Sequence, residues 1–204
     1  MVDRDDFAVR LDLTAAHRSA ERVRDMLVRL RKDFDLAPFE YCREVRIAPT
    51  EIPFSHPEIT LGTWVNDELA LLASYLHEQM HWYVTWYGHV RPDQWRQIFV
   101  NLRNRYPQVP TTGPEGALDE YSTYLHLVVN WLEVEATGRF FDRERVIEHA
   151  RALPYYRWIY RTATDDWGPL GALYADQALV PVRPATDMSS DDLKLAGRAD
   201  EAPP

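Results

Sequence analysis

The sequence predicts an α+β fold that is mostly helical, with a small sheet near the N-terminus. Short segments typical of strands occur only in the first 64 residues, whereas long apolar segments of helical period occupy most of the chain up to residue 180. Proline and glycine residues separate these segments. We expect residues 1–180 to form a single domain, and the Pro-, Ala-, Ser- and Asp-rich residues 181–204 to form a disordered tail.

The N-terminal elements are predicted as a strand, a helix and two further strands. Residues 7–13 place an apolar side chain at every second position, which predicts a strand. Thr14 is expected to cap an amphipathic helix that ends near Phe34. Residues 43–48 and 58–64 predict two short strands, and the second of them leads directly into the next helix.

The rest of the domain is predicted to be helical. The first of these helices should span residues 67–87, with Asn66 as its N-cap and Gly88 just past its end. Further helices are expected over residues 92–106, 114–138, 142–152, 154–164 and 170–179.

Composition excludes several classes of function. The net charge of −9 and the pI near 5.2 argue against a surface for nucleic acid or for an anionic membrane. The single cysteine, Cys42, excludes a disulfide framework and a zinc site built from several cysteines. No run of 18 apolar residues and no basic-then-apolar start are visible. We therefore expect a cytoplasmic protein without a membrane span.

Residues 77–81 read His-Glu-Gln-Met-His inside the helix predicted over residues 67–87. Positions i and i+4 of a helix lie on one face, so His77 and His81 can hold one zinc ion. Glu78 then lies beside a water molecule held by that ion. The alternative is a pair of core histidines bonded to other protein groups. Residues 65–90 contain no Lys or Arg, and burying this polar set without partners is costly, which favours a metal.

A catalytic zinc ion needs a third protein ligand, and the helix predicted over residues 114–138 is the best source. This helix is apolar apart from one polar stripe, which consists of Asp119, Ser122, His126, Asn130, Glu133 and Thr137. A solvated face is the alternative interpretation, but such faces usually carry Lys or Arg, and residues 115–137 contain neither. We favour His126 as the third ligand and Glu133 as the alternative, with Asp119 and Glu120 as further candidates.

The motif at residues 77–81, on a helix that follows a short strand, resembles the zincin superfamily of metallopeptidases. The resemblance implies a zincin-like domain in which His77 and His81 bind Zn²⁺ and Glu78 acts as general base. It also implies that the strand within residues 59–64 pairs with an extended peptide substrate.

Metzincins carry a glycine three residues after the second histidine and a third histidine six residues after it. Val84 and Tyr87 occupy those positions here, so the chain resembles an atypical, compact member of the superfamily. The third ligand is not carried over from the family.

Peptide hydrolysis also needs a donor for the developing oxyanion. Tyr156 and Tyr160 lie four residues apart on one predicted helix face and are candidates, as is His149; the alternative is that the tyrosines pack the core. The sequence thus predicts a zinc metallopeptidase that acts on a peptide or protein substrate. Two alternatives remain, namely a non-catalytic zinc-stabilised binding or regulatory domain and a zinc hydrolase of a non-peptide amide.

Overall fold

The fold is mostly helical with a small sheet, in a computed structural model that describes residues 7–12, 17–49 and 51–198. This confirms the α+β class. The predicted Leu13 and Thr14 positions, at the end of the first strand and the start of the first helix, lie outside the described residues. The elements are β1 (Ala8–Leu11), α1 (His17–Asp33), a 3-10 helix (Ala37–Phe39), β2 (Glu44–Ile47), β3 (Ile59–Leu61), α2 (Glu68–Val90), α3 (Pro92–Arg105), α4 (Glu120–Thr137), α5 (Arg143–Ala152), α6 (Arg157–Asp165), α7 (Trp167–Asp176), a second 3-10 helix (Ala185–Asp187) and α8 (Ser190–Ala196).

The three strands form a parallel sheet in the order β1-β2-β3. Two parallel neighbours need a crossover connection, and α1 supplies it between β1 and β2. In the register of the sheet, Val45 of β2 lies between Val9 of β1 and Ile59 of β3. The buried side of α1 carries the predicted apolar stripe, which includes Ala20, Val23, Leu27 and Leu30.

The outer edge of β3 is already paired at its centre. Thr60 donates its N–H to the carbonyl of Phe54 at 2.8 Å and accepts the N–H of Phe54 at 3.2 Å. The expectation that a substrate peptide pairs along this strand is therefore wrong at Thr60, because both of the backbone groups that it needs are occupied.

Helix α2 begins one residue later than predicted. The Asp67 carboxylate accepts the N–H of Ala70 at 2.9 Å, so Asp67 caps the helix, and not Asn66. The predicted end at Gly88 is also wrong, because α2 continues to Val90. Gly88 serves packing instead: a Cβ atom there would lie 3.1 Å from the indole of Trp95 in α3.

Helix α4 begins at Glu120 and not near Pro114, because the preceding residues form a tight loop. Asp119 caps the helix by accepting the N–H of Ser122 at 2.6 Å. Within the loop, Gly116 approaches the carbonyl of Pro110 so closely that a Cβ atom would lie 1.8 Å from its oxygen. The helices α5, α6 and α7 correspond to the last three predicted helices, with ends shifted by up to three residues.

Residues 183–198 hold packed structure where the sequence predicted a disordered tail. The hydroxyl of Tyr41 donates to the carbonyl of Arg183 at 2.7 Å, and the indole N–H of Trp86 donates to Asp192 at 2.8 Å. Met188 and Ala196 are buried. These few apolar residues anchor a segment whose overall composition is that of a disordered chain.

The chain divides into two compact units, residues 7–86 with 183–198 and residues 87–182. The division falls inside the continuous helix α2, so the prediction of a single domain over residues 1–180 stays a prediction. The core of the first unit includes Leu27, Leu30, Ile47, Ile59, Leu61 and Leu71, and the core of the second includes Ile98, Tyr124, Leu127, Val128, Leu132, Ile159 and Tyr174. No helix in the described parts of the chain is both long and apolar enough to cross a bilayer.

Candidate metal centre

The motif histidines lie one turn apart on α2. Their ring centroids are 5.0 Å apart, with an angle of 66° between the ring planes. His77 is half-buried, His81 is 7% exposed and Glu78 is 4% exposed. The surroundings of α2 therefore hold Glu78 and His81 away from bulk water, whereas His77 keeps part of its surface exposed.

The structure gathers His126 of α4 with this pair. One potential ligand atom of each of His77, His81 and His126 lies within 4.8 Å of the other two. Nitrogens bound to one tetrahedral zinc ion at 2.0–2.1 Å would lie about 3.3 Å apart. Three imidazole nitrogens within 4.8 Å of one another are thus a candidate set of ligands, and neutral imidazoles are ligands that zinc accepts readily.

The hydrogen bond between His126 and Ser122 determines which ring nitrogen of His126 carries a proton. Its Nδ1 lies 2.7 Å from the carbonyl oxygen of Ser122. A carbonyl oxygen can only accept, so Nδ1 carries the proton and Nε2 carries the lone pair. A backbone acceptor on the far nitrogen is the usual way in which a ligating histidine is oriented.

Tyr156 contacts that same nitrogen. Its hydroxyl lies 3.1 Å from Nε2 of His126, and the ring centroids are 4.5 Å apart. Tyr156 has a left-handed backbone, with φ 53° and ψ 31°, which is uncommon for a residue with a side chain. The next two residues fix this conformation, because the N–H groups of Arg157 and Trp158 donate to the carbonyls of Pro114 and Glu115 at 2.9 and 3.1 Å.

Tyr160 and Glu133 form a separate buried pair. The Tyr160 hydroxyl donates to the Glu133 carboxylate at 2.7 Å, and both side chains are buried. Burial and the nearby carboxylate raise the pKa of Tyr160 well above its usual range. Its hydroxyl is thus engaged in the core, whereas that of Tyr156 lies at the histidine cluster.

The other candidate ligands are engaged elsewhere. Glu133 is not among the three clustered residues. Asp119 is the exposed cap of α4, and its hydrogen bonds with Ser122 lower its pKa. Glu120 is exposed and forms an ion pair with Arg103 at 2.9 Å. His149 of α5, a candidate donor, is half-buried and lies outside the cluster.

The polar stripe of α4 changes character along its length. Asp119 is exposed, His126 is half-buried, and Asn130, Glu133 and Thr137 are buried. The interpretation of the stripe as a solvated face therefore fails beyond His126. Among the described residues, the amide oxygen and nitrogen of Asn130 have no hydrogen-bond partner. The same is true of the Thr137 hydroxyl.

Sequence reasoning missed Gln79, the middle residue of the motif. Its side chain is fully buried and bonded at both ends to the backbone of Cys42. The available signal was an uncharged polar residue in an otherwise apolar helix, which needs a buried partner.

No protein-family model matches this chain, and neither a curated protein nor a solved structure does. The likeness to zincins thus rests on residues 77–81 and their setting.

Proposed function

We propose that this protein is a zinc-dependent hydrolase, and specifically a zincin-like metallopeptidase. The observation that carries the proposal is the cluster of His77, His81 and His126, whose ligand atoms lie within 4.8 Å of one another. Glu78 follows the first of these histidines directly in α2. Three neutral imidazoles without a thiolate are a donor set typical of catalytic zinc, which leaves a fourth position open.

When bound, zinc lowers the pKa of a water molecule that it holds and polarises a carbonyl group. The chain's own residues supply the remaining chemistry. The Glu78 carboxylate takes a proton from the attacking water and passes it to the leaving nitrogen. The Tyr156 hydroxyl is the best-placed donor for the developing oxyanion, because it lies 3.1 Å from the ligating nitrogen of His126. Tyr160, the other candidate donor, holds Glu133 in place.

The proposed substrate is a peptide or protein, for which the glutamate after the first histidine is the supporting feature. The substrate does not pair with β3 at Thr60, where Phe54 already occupies the edge. The second candidate function is a non-catalytic, zinc-stabilised binding domain. Its support is the low exposure of Glu78 and His81, at 4% and 7%, which restricts access for a substrate.

Metal analysis and turnover together test the proposal. Protein purified without added zinc should contain close to one zinc ion per chain, and His126→Ala should lose most of it. His89→Ala is the matched control, because His89 is an exposed histidine at the end of α2 and outside the cluster. Glu78→Gln should keep the metal and lose turnover of a peptide library by at least about 100-fold, as expected for a general base.

Two results would contradict the enzyme proposal. A wild-type chain that takes up no zinc would remove its basis. A metal-loaded chain that cleaves no peptide, with or without Glu78→Gln, would favour the binding domain.

A further inference from the structure

We propose that Tyr75 and Gln79 form a polar lock that fixes the rotation of α2 about its axis and thereby the direction of His77 and His81. The lock lies in the first unit and consists of hydrogen bonds to residues that precede β2. It deepens the proposed function, since the direction of the two imidazoles matters only if they share a ligand.

Gln79 binds both backbone groups of Cys42 through the two ends of its amide. Its Oε1 accepts the N–H of Cys42 at 3.0 Å, and its Nε2 donates to the carbonyl of Cys42 at 2.7 Å. The side chain is fully buried. Two opposed hydrogen bonds fix both the position and the plane of the amide, which a single contact does not do.

Tyr75 bonds to a carboxylate that is itself held rigidly. Its hydroxyl donates to Oε1 of Glu40 at 3.2 Å. Arg31 of α1 binds the same carboxylate through two nitrogens, at 2.5 and 2.9 Å. The side chain of Glu40 is 1% exposed, so this acceptor is fixed and shielded from water.

The sequence spacing of Tyr75 and Gln79 places them on the side of α2 opposite His77 and His81. Tyr75 and Gln79 are four residues apart and therefore share one face of α2. Each precedes a motif histidine by two residues, which is a rotation of about 200° around a helix. The lock thus holds α2 from the side opposite the two imidazoles.

Rotation is the movement to which a metal site on one helix is most sensitive. A side-chain atom about 6 Å from the axis moves by about 1 Å when the helix turns by 10°. Metal–ligand distances tolerate about 0.2 Å. The packing of buried apolar side chains of α2, such as Leu72 and Leu76, is not directional and resists such a rotation weakly, whereas directional hydrogen bonds resist it.

The test compares variants of the full chain in zinc affinity and in the absorption spectrum of the cobalt-loaded protein. Tyr75→Phe removes one hydroxyl, and Gln79→Met removes both amide bonds at similar volume. We expect the zinc dissociation constant to rise about 10-fold in either variant and more in the double variant, which is the usual effect of losing a group that orients ligands. The cobalt spectrum should change as well.

Two controls separate positioning from stability. Tyr174→Phe removes a buried hydroxyl from α7, where it donates to the carbonyl of Leu127 at 3.4 Å. Leu27→Ala opens a cavity on the buried side of α1 and lowers stability at least as much as the lock variants. Both should keep the zinc affinity and the cobalt spectrum of the wild type. The lock is refuted if its variants also keep them, or if Leu27→Ala weakens zinc binding equally.

A measurement without metal keeps this inference distinct from the proposed function. The imidazole ¹H–¹⁵N chemical shifts of His77 and His81 in the metal-free chain should move in the lock variants and not in the controls. Unchanged shifts in the lock variants would refute the lock. A wild-type chain that binds no zinc refutes the proposed function, and the shift comparison still decides whether the lock exists.

Discussion

Asn130 is a polar residue of α4 whose burial has no visible compensation. It is 0% exposed, and neither its amide oxygen nor its amide nitrogen has a partner among the described residues. A buried polar group without a hydrogen bond costs about 1–3 kcal/mol. Asn130→Leu, which is close in size and removes the amide, should therefore raise the free energy of unfolding by about 1–2 kcal/mol in urea denaturation.

Two threonines on the same helix provide the matched comparison. The hydroxyl of Thr137 has no partner among the described residues, whereas that of Thr123 donates to the carbonyl of Pro110 at 2.9 Å and accepts the N–H of Ala117 at 3.1 Å. Thr137→Val should be neutral or stabilising, and Thr123→Val should cost about 1–2 kcal/mol. A loss of stability in Asn130→Leu would show instead that the amide holds a ligand or water, and zinc-loaded activity would then be measured on that variant.

Among the elements of the fold, the loop before α4 positions two residues of the candidate site, His126 and Tyr156. It sets the start of the helix that carries His126, and its carbonyls at Pro114 and Glu115 hold the backbone after Tyr156. The loop closes only because Gly116 has no side chain, since a Cβ atom there would lie 1.8 Å from the Pro110 oxygen. One substitution in this loop should therefore disturb both His126 and Tyr156.

Gly116→Ala should lower the free energy of unfolding by about 1–3 kcal/mol, because the backbone must shift to admit the methyl group. The ring of Tyr156 should also lose its contact with His126, which nuclear Overhauser effects between the two rings would report. Gly168→Ala is the control, since a Cβ atom in that part of α7 meets nothing within 4 Å. It should cost less than Gly116→Ala, because crowding of the new methyl group against the following Pro169 is a smaller penalty than a clash with the Pro110 backbone. Equal effects of the two substitutions would contradict the packing argument.

The existence of the long helices was predictable, but several of their ends were not. Apolar runs without Lys or Arg identify α2 and α4 from local pattern alone. Gly88 looks like a helix end, yet α2 continues through it, and the indole of Trp95 packs where a side chain would stand. That contact depends on α3 and leaves no trace in the sequence around Gly88.

The ranking of the candidates for a third ligand had the same limit. His126 and Glu133 share one helix face, so their spacing cannot rank them. Their hydrogen bonds rank them. The Glu133 carboxylate accepts a hydrogen bond from Tyr160, whereas the Ser122 carbonyl binds the protonated Nδ1 of His126, so Nε2 carries the lone pair. The partner of Glu133 is set by how α4 and α6 pack, which only a structure shows, whereas the Ser122 carbonyl belongs to α4 itself.

At the scale of the whole chain, the segment after residue 182 returns to the first unit and packs along α2. Gly197 lies against Trp82, where a Cβ atom would be 2.9 Å from the indole. The His56 ring stacks on the Trp82 ring, with 4.7 Å between the ring centroids. The Nε2 atom of His56 lies 2.9 Å from the carbonyl oxygen of Ala196. The aromatic residues that follow His81 in α2 are thus covered by residues about 100 positions later in the chain.

The contact between Trp86 and Asp192 makes this attachment sensitive to acid. The indole N–H of Trp86 donates to the Asp192 carboxylate at 2.8 Å, and this bond, with those from Ser189 and the charge of Arg183, lowers the pKa of Asp192. A lowered pKa in the folded state means that the bond contributes its full stability above the unfolded value of about 3.9. That contribution is lost as the pH falls through the lower folded value.

The indole ¹H–¹⁵N resonance of Trp86 should therefore shift between pH 5 and pH 2 with a midpoint below about 3.9. Trp82 is an internal control, because its indole N–H donates at 2.6 Å to the carbonyl of Ser55, which does not titrate. Its resonance should stay constant over the same range. Asp192→Asn should remove the Trp86 transition, since an amide keeps an acceptor oxygen and cannot titrate. A Trp86 midpoint above 3.9, or a transition that survives Asp192→Asn, would mean that another group controls how the C-terminal segment is held.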